Sequence, residues 1–113
     1  MSGISTHVLD LTAGRPAADL RIRLERQELD GSWWGLGEGR TDAGGRIAVL
    51  LSAGLELAAM PHRLVFETGE WFRLQGIASF HPEVVVHFLP EAGGHYHLPL
   101  LLSPFGYSTY RGS

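Results

Sequence analysis

The 113-residue sequence predicts an all-β fold, a two-sheet β-sandwich of roughly seven to eight short strands with one short helix. Three observations carry this expectation. Apolar and polar residues alternate over several short runs, the two-residue period of a half-buried strand. Fifteen glycines and six prolines punctuate the chain at short intervals, as a fold rich in tight turns requires. Apolar residues fall at helical spacing in only one stretch, around Trp71. At 113 residues the chain has room for one core, and we take 1–113 as a single domain.

The elements follow in order. In the first strand Ile4, Thr6 and Val8 share one face, and Ser5, His7 and Leu9 the other. Thr12 to Pro16 is a turn. Leu20, Ile22 and Leu24 then point inward while Arg21, Arg23 and Glu25 point outward, as in an antiparallel strand with one wet face. Asp30-Gly31 marks another turn, and Trp33-Trp34 opens a strand weakened by Gly35, Gly37 and Gly39. Thr41-Asp42-Ala43-Gly44-Gly45 is a hairpin-type loop. Arg46 follows it and heads Ile47-Ala48-Val49-Leu50-Leu51, a strand apolar on both faces that should be covered on both sides or lie at a subunit contact. Alternation returns over 62–68, with Leu64 and Phe66 on one face. The helix is expected within 69–79, with Glu70 at its start, Trp71, Leu74 and Ala78 on one face, and Gly76 weakening it. A strong strand spans 83–89. The chain closes on a strand–turn–strand unit in which His95 and His97 share a face opposite Tyr96, Leu98 and Leu100. Alternation resumes at Tyr107 and runs to the last residue, with Arg111 and Ser113 on one face.

Composition narrows the function classes. A content of 44% hydrophobic and 19% charged residues is that of an ordinary soluble domain. A formal net charge of −3 argues against nucleic acid or an anionic membrane as partner. No apolar run approaches the ~20 residues needed to span a bilayer. Met1 to His7 has neither a basic nor an apolar signal region, so a cytoplasmic location is expected. The absence of cysteine removes disulfides, thiolate metal sites and cysteine nucleophiles together. No Gly-x-Ser-x-Gly elbow, phosphate-binding loop or His-Glu-x-x-His is present, and the scattered carboxylates form no acid–base pair of the glycosidase kind.

What chemistry remains gathers on histidine and arginine. His95 and His97 on one strand face fit two half-exposed polar residues, or a metal-chelating pair with His7 as third ligand. Arg46 after a double glycine fits a solvated rim residue, or a fixed guanidinium for an anionic or carbonyl-rich ligand. His62, His81 and His87 have no visible partners, and Trp33, Trp34, Trp71, Phe66 and Phe88 are most simply core. Tyr110-Arg111-Gly112-Ser113 is more patterned than a solvated tail needs to be.

These segments resemble three motifs of the 5-hydroxyisourate hydrolases, the transthyretin-like enzymes of urate breakdown. The opening, Ile4 to Ala17, resembles the family's first motif, Thr41 to Ile47 its middle one, and His95 to Pro104 with Tyr110-Arg111-Gly112-Ser113 its terminal signature. The ending Tyr-Arg-Gly-Ser separates the hydrolases from the hormone-carrying transthyretins. The resemblance implies a transthyretin-like sandwich, a homotetramer built as a dimer of dimers, and active sites in clefts where dimers face each other. It implies hydrolysis of 5-hydroxyisourate to 2-oxo-4-hydroxy-4-carboxy-5-ureidoimidazoline, with no metal or other cofactor. His7, Arg46 and His97 match its catalytic positions, and Ser113 is expected to join them. Tyr110 matches a substrate-binding position, and Arg111 and Ser113 belong to the motif lining the cleft. Against this stand two alternatives, a non-catalytic carrier of the transthyretin kind and a histidine-liganded metal hydrolase.

Overall fold

The computed structural model describes residues 3–112. Its elements are β1 (Gly3–Asp10), β2 (Arg15–Pro16), β3 (Arg21–Gln27), β4 (Trp33–Arg40), β5 (Arg46–Ile47), β6 (His62–Phe66), α1 (Thr68–Leu74), β7 (Val84–Phe88), β8 (His95–Ser103) and β9 (Gly106–Thr109). Among the described residues, seven strands have four residues or more and two pieces have two, in line with the expected sandwich. One sheet runs β2-β1-β8-β9, with β5 also paired to β1; the other runs β4-β3-β6-β7. The second sheet is antiparallel throughout. In the first, β1 and β8 pair in parallel over eight rungs, from Gly3 opposite His95 to Asp10 opposite Leu102.

Burial follows the two-residue period. Ile4, Val8, Leu98, Leu100 and Leu102 of the first sheet meet Ile22, Leu24, Leu64, Phe66, Val84 and Val86 of the second in one core. Truncating a wholly buried member such as Leu100 to alanine costs about 2–5 kcal/mol in such a setting. No helix among the described residues is long and apolar enough to cross a membrane.

Three local expectations are corrected. The helix buries Thr68 and Phe72, whereas Leu74 is 70% exposed. It also stops before Ala78 because Gly76, at φ +71°, and Ile77 close it, their N–H groups reaching Arg73 O and Phe72 O at 3.0 Å each. The run from Ile47 to Leu51 is a strand only at its first residue. It then crosses between the sheets, Leu50 N–H donating to Ile4 O at 3.1 Å and Ser52 N–H to Leu36 O at 2.9 Å. Leu50 and Leu51 enter the core and Val49 is left 76% exposed. Trp34 is 59% exposed rather than core, because it faces outward on the edge strand β4. Regular pairing of the last strand ends at Thr109, and a single bridge then joins Gly112 to His97.

Candidate active site

The side chains of interest converge because of how β1 is flanked. Its polar face carries Ser5 and His7. On one side, antiparallel pairing with β5 sets His7 opposite Arg46. On the other, the parallel register with β8 sets Ser5 opposite His97 and Gly3 opposite His95. Asp42 closes the turn that delivers Arg46: its carboxylate accepts N–H bonds from Gly44 and Arg46 at 2.9 Å each, and its own N–H donates to Arg46 O at 2.9 Å. The turn thus fixes the Arg46 backbone and leaves its side chain free of any ion pair among the described residues. The terminal segment returns along β8, Gly112 N–H donating to His97 O at 2.8 Å.

Together these elements bound an open cleft of about 540 Å³ lined by Ser5, Arg46, His95, His97, Arg111 and Gly112, with parts of Thr6, Ile47 and Ala48. Ser5 Oγ and His97 Nδ1 share a hydrogen bond of 2.8 Å. His97 titrates below the usual histidine value of 6.5, because burial disfavours its charged form and because Arg46, then His7 and His95, add positive potential. Burial contributes most. A neutral imidazole at neutral pH is the form able to accept a proton. Arg111 lies with its guanidinium carbon 4.9 Å from the centre of the Tyr96 ring, a cation–π contact that holds it at the rim.

Of the residues singled out in the sequence, the fold brings Arg46, His97 and Arg111 to the cleft, with His7 half-buried beside Arg46. Tyr110 is 57% exposed and does not line the cleft of the single chain. Ser113 lies outside the described residues. Among the described residues no three His, Cys, Asp or Glu side chains are arranged to hold a metal ion. Sequence reasoning missed Ser5. Alternation had set Ser5 and His7 on one face, but the strand beside them, ninety-two residues on for Ser5 and His97, is not readable from local pattern.

Known proteins resemble this chain in sequence and in fold. A model of the HIUase/Transthyretin family matches residues 4–112. A 5-hydroxyisourate hydrolase of Salmonella dublin is 44% identical over 113 residues, covering 97% of this chain and 80% of the relative. The solved structure of Klebsiella pneumoniae 5-hydroxyisourate hydrolase superposes with a TM-score of 0.86 at 38% identity, covering 99% of this chain and 100% of that one. Sea bream transthyretin, solved in complex with thyroxine, superposes with a TM-score of 0.90 at 33% identity, covering 97% and 94%. Matched from end to end in sequence and in fold, the chain belongs to the HIUase/Transthyretin family.

Proposed function

We propose that the protein is a 5-hydroxyisourate hydrolase, opening the ring amide to give 2-oxo-4-hydroxy-4-carboxy-5-ureidoimidazoline without a metal or other cofactor. The observation that carries this reading is a half-buried imidazole, His97, held below the ordinary histidine pKa by burial and by Arg46, in the same cleft as that guanidinium, which has no ion pair among the described residues, in a chain similar over nearly its whole length to hydrolases of that name. In the reaction, His97 takes a proton from water as the oxygen attacks the cyclic amide carbonyl, with His7 assisting. Arg46 holds the carbonyl and stabilises the oxyanion that develops on it. The carbon–nitrogen bond then breaks, the ring nitrogen takes up a proton, and the carbonyl carbon becomes a carboxylate. Arg111, Tyr110 and Ser113 bind substrate, and Ser113 also helps position the water.

The single domain spanning 1–113 works as a cytoplasmic homotetramer, a dimer of dimers whose clefts are completed between subunits. The exposure of Tyr110 and Val49 supports this, since a second copy covering them would remove apolar surface from water. The likeness to a thyroxine-bound transthyretin favours a second reading, a non-catalytic small-ligand carrier. One assay separates the two. The purified protein should speed the loss of ultraviolet absorbance of freshly generated 5-hydroxyisourate well above its spontaneous decay, and a metal-stripped sample should do so equally. Decay at the spontaneous rate would leave the carrier.

A further inference from the structure

We propose that Ser5 is a positioning residue for this hydrolysis: its hydroxyl accepts the Nδ1 proton of His97 and so leaves the Nε2 lone pair open to the cleft. A neutral imidazole has one donor and one acceptor nitrogen, and the hydrogen bond made by one decides the role of the other. Only the lone-pair nitrogen can take a proton from water. Ser5 Oγ stands 2.8 Å from Nδ1, and among the described residues no other hydrogen bond reaches either ring nitrogen of His97. Among the described residues, Ser5 is therefore the group that selects the tautomer. Its position is set by the backbone, because Ser5 and His97 are direct partners on the parallel rungs of β1 and β8.

The accepting role follows from what surrounds the ring. His7 from β1, Arg46 from β5, His95 from β8 and Arg111 from the terminal segment are the charged or titratable groups around it among the described residues. Two are guanidinium cations, and none carries a negative charge. None stabilises the imidazolium that forms as His97 takes its proton. A serine that accepts from Nδ1–H keeps its bond in both protonation states, and the bond strengthens as the ring gains charge. It is therefore stronger at the transition state than in the ground state, which is the condition for accelerating the chemical step. A serine that donated to Nδ1 would have to turn its hydroxyl round during the reaction. Its own proton, in the accepting role, remains free for water or substrate.

The kinetic consequence rests on the hydrolase reading, whereas the tautomer rests on geometry alone, so the experiment has two arms. In the first, ring nitrogen chemical shifts of His97 in the full-length protein should show Nδ1 protonated and Nε2 bare near neutral pH. The opposite pattern overturns the proposal. In the second, Ser5→Ala should lower kcat/KM on 5-hydroxyisourate about ten- to a hundredfold, a loss of the size seen when the partner orienting a metal-bound imidazole is removed. Its acid limb should move to lower pH, since the imidazolium has lost an acceptor. Ser5→Thr, which keeps the hydroxyl and suits a strand, should restore most of the rate. An acid limb moving to higher pH, or a Ser5→Ala rate within about twofold of wild type, overturns the proposal. If the wild-type protein itself gives no acceleration, the hydrolase reading falls, and the nitrogen shifts still decide the Ser5–His97 bond.

Discussion

The two sheets carry their charges in opposite ways. On the second sheet, its flanking loops and the helix, arginines are matched with carboxylates: Arg21 with Glu38 and Glu67, Arg23 with Glu67 and Glu25, Arg26 with Glu28, Arg63 with Glu25, Arg40 with Asp19, and Arg73 with Glu70. Arg63 additionally lies 4.1 Å over the Trp33 ring. On the first sheet, Arg46 and Arg111 have no carboxylate partner among the described residues and share their cleft with His95 and His97. A matched lattice satisfies itself and is available only for stability. A cluster of unmatched donors offers its hydrogen bonds to whatever enters, and its positive potential favours an anion or a developing oxyanion.

Histidine shows the same division. His62, on β6, is wholly buried, with Nδ1 2.6 Å from Met60 O and its ring tilted against Phe88. His97 is half-buried in the cleft with Nε2 free of a partner among the described residues. Both titrate below 6.5, and for both burial is the leading cause. One is neutral because the core requires it, and the other is neutral where a base is useful.

Substitutions should separate the two regions, and the largest effect is expected at His97. His97→Ala should reduce kcat/KM about 10²–10⁴-fold, the usual share of a general base, while thermal unfolding stays close to wild type. Retained turnover would remove His97 from the chemistry. Arg46→Ala should cost about 10²–10³-fold, with Arg46→Lys recovering part of it, because charge is kept but the planar fork is lost. Steady-state kinetics on both variants check this. Gly112→Ala tests the packing that holds the His97 ring. A Cβ there would stand 2.7 Å from His97 Cδ2, so the ring or the terminal segment against it must shift, and about a tenfold or greater loss of rate with an intact fold is expected.

Crossing to the second sheet should invert the pattern. Glu67→Gln removes a carboxylate shared by Arg21 and Arg23. It should lower stability by about 1 kcal/mol in denaturant titrations and leave turnover unchanged. A large kinetic effect would break the contrast between the sheets.

The smallest expected effect is on the pH dependence of stability. His62 and His97 hold fewer protons in the folded than in the unfolded state, so stability rises with pH wherever they titrate. Their contribution is complete above 6.5 and is lost as pH falls below it toward the folded values. Denaturation midpoints from about pH 7.5 to about pH 5.5 should therefore fall for the wild type and fall less steeply for His62→Gln. An unchanged slope in that variant would mean that His62 charges without cost.

Much of the fold was legible. The alternation at Leu20, Ile22 and Leu24 gave the inward face correctly, and that at Ile4, Thr6 and Val8 grouped the residues that prove buried, since a half-buried strand can bury only every second residue. The helix was found but its buried stripe was misassigned. Trp71, Leu74 and Ala78 match the helical period, yet Phe72 has the deeper place to pack and Gly76 ends the helix early. The run after Arg46 misled for a related reason. Five apolar residues suit a strand buried on both faces, but they also suit a crossing segment that feeds Leu50 and Leu51 into the core between the sheets.

By itself, the sequence determined the sandwich, the grouping of residues by face, the shared face of His95 and His97, and, through three motifs in order, the family. These are properties of local period and of residue type. Tertiary structure decided which strand lies beside β1, and with it the meeting of Ser5 with His97 and of His7 with Arg46. It also decided that His97 would be neutral, because burial and the neighbouring cations come from strands far apart in the chain. Alternation names the face on which a residue stands, but only the register of distant strands names the residue that will face it.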